Sequence, residues 1–373
     1  MDRRFLQPLG LVPNPVYRFY QGGELLGRFR GEPQPRDGDH PEDWVGSVTP
    51  ASNPPAHSHP GEGLSVVRAG GDEVRLAALL ADDPVAVAGQ QLVDRFGPST
   101  GVLVKVLDAG CRLPIHAHPT RAFARRHLAS SFGKAEAWVV LATRAITGEE
   151  PPGIRIGFRD QLSTRQLLDL ITEQRTDALA AAMHHLPVQA GDVIFVPPGV
   201  PHAIGAGVLV MEVQEPTDFS IVLEWTGFPI DPADADLGLG WDLAAQTLDH
   251  GPMSASALDA LSPAPQLVAR TASAQVETLL GTSADEFFGA YRLVVGGVAG
   301  WPLTGSYAVG IVTDGRGRIA NRNGTLEVQA GSTFCVLAAT EGVTVEGDLT
   351  VIGFQGPGGL DPVRAARSLA DGT

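Results

Sequence analysis

Gly110-Cys-Arg-Leu-Pro-Ile-His116-Ala-His118-Pro119 and Gly191-Asp-Val-Ile-Phe-Val-Pro197-Pro-Gly199-Val-Pro-His202 decide how this chain is read. In the first stretch an extended run from Leu103 passes through a glycine turn into residues 113–118. Period-2 alternation there sends Leu113, Ile115 and Ala117 to one face and both histidines to the other. Two imidazoles on one side of a strand have metal-ligand spacing, as His at i and i+4 has on a helix. The second stretch reads as a Gly-Asp turn, a buried apolar strand over Val193 to Val196, a Pro-Gly turn and a third histidine. Between the two lies Gly133-Lys134-Ala-Glu136-Ala-Trp138, a strand that places Lys134, Glu136 and Trp138 on one face. His116, His118, Glu136 and His202 make a four-ligand set suited to a divalent transition metal.

The spacings Gly-x5-His-x-His and Gly-x5-Pro-x-Gly-x2-His resemble the two signature motifs of the cupin superfamily, small jelly-roll β-barrels that hold a metal inside. The second motif departs only after its histidine, where Ala206 stands in place of an asparagine common in cupins. The resemblance implies a mainly β protein: a cupin barrel with a helical insertion, followed by a second, metal-free β-sandwich.

Composition narrows the partners. A net charge of −15 over 373 residues argues against nucleic acid or an anionic membrane surface as a general partner, which would require a continuous basic stripe, and leaves room for a local basic cluster that binds one small anion. The 43% apolar content indicates a globular chain. Only two cysteines, Cys111 and Cys335, are present and lie far apart, which favours a reducing compartment. No run approaches the length of a membrane span, and Met1-Asp-Arg-Arg-Phe-Leu-Gln-Pro8 lacks the apolar core of a signal peptide. The expected location is the cytoplasm.

Along the chain, the Pro- and Gly-rich first 60 residues predict short strands in long loops, with Leu26 to Phe29 and Trp44 to Val48 as the best candidates. His57-Ser-His59-Pro60 repeats the His-x-His-Pro pattern, but Asn53-Pro-Pro before it provides no clean strand, so it reads as a loop. Two helical insertions are expected, over about 119–131 and 162–186, with His184 and His185 ending the second. Arg121 and Arg125 lie one turn apart on the first, beside Arg126, and read either as a solvated face or as a clamp for a substrate anion. The acidic, Gly/Pro-rich segment from Pro229 marks the best boundary. It divides the chain into a metal-binding unit over 1–228, a linker or helical region over 229–265, and a C-terminal β-rich unit over 266–373, near whose start a helix is expected at about Ala272 to Leu280. In the last, Ala330-Gly-Ser-Thr-Phe-Cys-Val-Leu337 matches the start of the second motif, yet no histidine follows it.

Gly133-Lys134-Ala-Glu136-Ala-Trp138, the run from Gly191 through His202 to Gly207, Glu212-Val-Gln214 and the early Glu42-Asp-Trp44 together resemble a type I phosphomannose isomerase. The likeness extends from Glu42 to about Trp225 and is confined to β-richness beyond. It implies a zinc-dependent enzyme interconverting mannose 6-phosphate and fructose 6-phosphate through a cis-enediol. The family's Gln-x-His ligand pair falls on His116 and His118, its Lys-x-Glu on Lys134 and Glu136, and its last ligand on His202. Its active-site Glu falls on Glu212. Two positions depart: the arginine expected ten residues after that Glu is Val222, and the serine two before the Gln is Pro114. The expected roles are therefore metal ligation by the four, catalysis by Lys134 and Glu212, and substrate binding by Arg121, Arg125 and Trp138. Two rival classes share the ligand set: a cupin oxygenase built on Fe(II), Ni or Mn, and a non-catalytic sugar-binding regulator.

Overall fold

The computed structural model describes residues 3–69 and 71–371, and it is mainly β, with antiparallel sheets. Two of these sheets face each other around the histidine motifs. The five-stranded one runs Met183–Pro187, Gly153–Phe158, His202–Ile204, His116–Ala117 and Ile221–Val222. The six-stranded one runs Val193–Val196, Glu136–Thr143, Val208–Gln214, Leu103–Ala109, Glu42–Val45 and Pro15–Val16. Strands buried along their whole length dominate the second sheet: Leu103–Ala109 and Val208–Gln214 bury every residue. Near-continuous apolar runs such as Val-Leu-Val-Met produce this, because helices, loops and the facing sheet cover both sides.

The C-terminal strands form a third, ten-stranded sheet in which Gly289–Gly300, Thr344–Gln355 and Ala308–Asn321 are the long central members. The N-terminal strands Leu9–Leu11, Val66–Ala69 and Asp72–Arg75 extend this sheet through the pair Leu9↔Cys335. The first 75 residues thus contribute to both β structures. Tyr307 Oη adds a 2.6 Å hydrogen bond to the carbonyl of Gly46. Gly46 has φ +64°, and a Cβ there would lie 2.3 Å from the Tyr307 hydroxyl, so a side chain is excluded twice over.

Three local expectations are corrected. Residues Glu24–Phe29 form a helix, not a strand, because one carboxylate oxygen of Asp108 accepts the backbone N–H groups of Gly23, Leu25 and Leu26 at 3.0, 2.6 and 3.2 Å. Ala274–Thr278 is a strand paired with Gly289–Gly300 where a helix was expected. The second insertion is two helices, Thr164–Thr172 with a Ser163–Gln166 capping box and Thr176–Ala182, that give way at Met183. His184 and His185 therefore sit on a strand, in register with Ile156 and Arg155, and not in a last helical turn. Pairing along an open sheet edge outweighs a weak helical preference there. The first insertion is the helix Arg121–His127, N-capped by the Thr120 hydroxyl, which accepts from Phe123 N at 3.2 Å.

Candidate active site

His116 and His202 lie directly opposite each other on neighbouring strands, and His118 follows two residues on, so three rings converge on one face of the five-stranded sheet. Their centroids are 4.3 to 4.9 Å apart. Each ring is oriented by its Nδ1, which donates to a backbone carbonyl: His116 to Pro114 at 2.9 Å, His118 to Phe219 at 2.8 Å and His202 to Val200 at 2.8 Å. With every Nδ1 occupied, the three Nε2 lone pairs are what remains to face inward. The turn before His202 depends on Gly199, whose φ of +90° and 2.6 Å clearance from Thr247 O admit no Cβ, and whose N–H donates to His118 O at 2.7 Å.

From the facing sheet, Glu136 brings Oε1 to 3.1 Å from His202 Nε2 and Oε2 to 3.0 Å from His118 Nε2. One ligand atom from each of His116, His118, Glu136 and His202 can be chosen so that all lie within 4.8 Å of one another. Burial, then the neighbouring His202 and His118, pushes His116 well below the usual imidazole range. Burial, then the Lys134 ammonium, lowers His118 to about 3. Burial works against the ionised form of Glu136, but the His118 ring and Lys134 outweigh it and hold the carboxyl well down. Neutral imidazoles and an ionised carboxylate are the protonation states that bind a divalent cation. His202 Nε2 and Glu136 Oε2 are buried without a hydrogen-bond partner, although they lie within ion-pair distance of other site atoms. Orphaned donors of this chemistry, with outer partners already in place, fit a metal ion.

The remaining wall of the cavity, about 200 Å³ in volume, includes His116, Lys134, Trp138, Lys105 and Glu212. Lys134 Nζ lies 3.0 Å from His118 Nε2 and 3.4 Å from Glu136 Oε2. Register explains the rest: Trp44, Lys105, Glu212 and Trp138 stand side by side across four strands of the six-stranded sheet, so they share its inner face. Two carboxylates that approach Lys105, Glu212 in this row and Glu42 two residues before Trp44, differ sharply. Glu42 accepts from Tyr20 Oη and Trp44 Nε1, each at 2.6 Å, and Arg18 Nε stands 3.1 Å from its Oε1. Burial opposes its charge, but Arg18 and Lys105 reverse that and lower it to about 2. Glu212 has Lys105 Nζ at 3.2 Å, off hydrogen-bond geometry, and burial raises its pKa. Glu42 is thus locked as an anion, whereas Glu212 is poised to exchange a proton.

Among the described residues, neither Arg121 nor Arg125 lines this cavity. Arg121 is buried and bonded to Glu215, and Arg125 is exposed on its helix. Val222 and Pro114, the two departures from the family pattern, do line it. His57 is exposed and stacks on Tyr17 at 4.1 Å, while Ser52, Asn53 and Pro54 from the same loop reach the cavity. Sequence reasoning missed Lys105, Arg18 and Asp218. The signal for Lys105 was a lone lysine inside the apolar run of residues 103–107. Arg18 and Asp218 carried none, because their bidentate pair, 2.9 and 3.2 Å, joins positions 200 residues apart.

Fold and site together define a β-sandwich protein with a buried seat for a divalent cation. No family model matches the chain. It is 28% identical to the mannose-6-phosphate isomerase of Streptococcus mutans over 251 residues, 67% of this chain and 72% of that protein. It is 25% identical to a probable mannose-6-phosphate isomerase of Bacillus subtilis over 257 residues, 66% of this chain and 72% of the other. The solved mannose 6-phosphate isomerase of Bacillus subtilis superposes with a TM-score of 0.68 at 20% identity, covering 94% of this chain and 99% of that one. A variant of phosphomannose isomerase from Salmonella typhimurium gives 0.70 at 14% identity, over 94% and 100%. The chain is thus similar in sequence to proteins named mannose-6-phosphate isomerases and shares the fold of solved ones.

Proposed function

We propose that this protein is a metal-dependent aldose–ketose isomerase that interconverts mannose 6-phosphate and fructose 6-phosphate through a cis-enediol. The observation that carries the reading is the placement of Lys134 and Glu212 on the wall of a cavity that is also lined by His116 and Glu136, two of the four converging side chains. His116, His118, Glu136 and His202 would hold the ion, and zinc is the one we assign from the family likeness. A bound divalent cation supplies charge stabilisation for the sugar oxygens. The reaction moves one hydrogen from C2 to C1 and one proton from O2 to O1, so it balances without a co-reactant.

Glu212, with its raised pKa and an Oε1 free of hydrogen bonds, takes the C2 proton and returns it at C1. Lys134 Nζ moves the proton between the two oxygens. Lys105, in turn, steadies Glu212, and the fully anchored Glu42 steadies Lys105 at 3.7 Å. Trp138, buried with its indole Nε1 unpartnered, walls the reacting carbons from water and keeps one donor for a sugar hydroxyl. We assign the protein to the cytoplasm on the same likeness; no helix among the described residues is long and apolar enough to cross a membrane. The oxygenase and regulator readings are not favoured, since the relatives are named as isomerases.

The test is an NMR screen of mannose 6-phosphate, fructose 6-phosphate and the free hexoses in deuterated water with zinc-loaded protein. Interconversion with deuterium entering at the exchanged carbon is expected. Tight sugar binding with no exchange defeats the reading in favour of a regulator, and oxygen uptake in its place favours an oxygenase.

A further inference from the structure

The turn Gln214–Phe219 contacts several elements of the site. Gln214 Nε2 donates to Thr217 O at 2.5 Å, closing the turn on itself. Phe219 O holds His118 Nδ1, Thr217 Oγ1 donates to Gly133 O at 2.7 Å, and Asp218 grips Arg18 and accepts from Ser52 N at 3.0 Å. Glu215, fully buried, accepts Ala135 N at 3.0 Å with one oxygen and Arg121 Nε with the other. Ala135 lies between Lys134 and Glu136, and Arg121 lies three residues beyond His118, so this single carboxylate ties together the segments that carry two ligands and the lysine. The Arg121 guanidinium is itself packed between two rings, 4.7 Å from the centroid of Phe287 and 5.3 Å from that of Phe96. Phe287 precedes the long C-terminal strand Gly289–Gly300, and Phe96 ends the helix Gln90–Phe96.

The geometry points to Arg121 and Glu215 as positioning residues: a buried ion pair that sets the spacing of His118, Lys134 and Glu136 and braces it against the C-terminal part of the chain through Phe287. The inference rests on the four-ligand site and not on the identity of the sugar. Arginine suits the role because its planar face stacks on rings while its edge donates to a carboxylate, which lysine does not reproduce. Removing it leaves Glu215 as an uncompensated buried charge, and that charge pulls on Ala135 N and the strand behind it.

The experiment uses the full-length protein, apo and reloaded with zinc or cobalt(II). Arg121→Met is expected to weaken zinc binding by roughly 10–100-fold, as loss of an outer partner of a ligand set does. It should also shift the visible band of the cobalt(II) protein, and Arg121→Met with Glu215→Gln should restore much of both by removing the stranded charge. A merely structural contact would lower the melting temperature and leave the cobalt band and the zinc affinity as in the unmodified protein, and that result overturns the inference. Should Arg121→Met fail to fold, Phe287→Leu takes its place, with the same direction of band shift expected at smaller size; an unmoved band there has the same overturning force. Absence of any cobalt band in the unmodified protein would sink the metal reading along with this one, whereas a normal band in the variants sinks this one alone.

Discussion

The two β structures of this chain share the start of one motif and fill their interiors differently. Gly191-Asp-Val-Ile-Phe195-Val and Gly331-Ser-Thr-Phe334-Cys-Val both lead from a glycine turn into a buried strand. After the first comes His202, and the space between the facing sheets holds imidazoles, carboxylates and lysines. After the second no histidine follows, and the interior is packed with Trp301, Phe334, Val312, Val345 and Val351. The Phe334 ring occupies the place where a Cβ on Gly310 would stand, only 2.2 Å from its tip, so aromatic packing there is close enough to require the glycine. A charged interior needs every group paired or ligated and costs stability to assemble, while an apolar one stabilises outright. The contrast teaches that one β structure gathers the polar, cation-competent side chains while the other is packed as an apolar body.

This contrast can be broken most sharply at the ligands. His118→Ala is expected to abolish metal retention after dialysis and to lower turnover by roughly 10³-fold or more, since a cation's charge stabilisation is worth several kcal/mol; an unchanged metal content would remove the site assignment. Lys134→Met should keep the metal, measured by elemental analysis, and slow turnover by roughly 10²–10⁴-fold, the usual contribution of a positioned proton donor. In the apolar half the same kind of truncation reads out differently. Phe334→Ala is expected to cost about 3–5 kcal/mol of stability in denaturant unfolding while the metal content stays at its full value. If Phe334→Ala instead drained the metal, the apolar body would be part of the site.

The smallest expected effect is on acid stability. Asp218 is opposed by burial, but Arg18 and Lys105 overcome this and lower it to about 2, against roughly 3.9 in an unfolded chain. A folded-state pKa below the unfolded value means its stabilisation is complete above about pH 4 and is lost as pH falls toward about 2, a contribution of about 2–3 kcal/mol. Asp218→Asn should therefore flatten the acid limb of the stability curve over that window. An equally steep limb in the variant would place the titration elsewhere.

Much of the centre was legible because alternation in a strand is a local rule. His116 and His118 share a face, as do Lys134 and Glu136, whatever the rest of the chain does. The apolar stripe of the second insertion was legible too, although its end was not: Met183 to Pro187 joins the edge of a sheet, and no local propensity encodes an edge in need of a partner. Arg121 shows the same limit from the other side. One turn from Arg125 on a helix, it reads either as part of a solvated face or as half of an anion clamp, yet its neighbours in space are Glu215, Phe96 and Phe287. Nothing within the helix distinguishes a buried arginine from a solvated one.

By itself the sequence determined the residue types of the converging set, their faces on the strands and the acidic balance of the chain. Those properties follow from side-chain chemistry and a period of two. Only the tertiary structure decided that Glu42 is locked while Glu212 is free, that Arg18 closes on Asp218, and that the turn after Gln214 binds the ligand segments together. These are outcomes of long-range register between strands, where proximity, burial and the low dielectric of a closed interior set each group's charge.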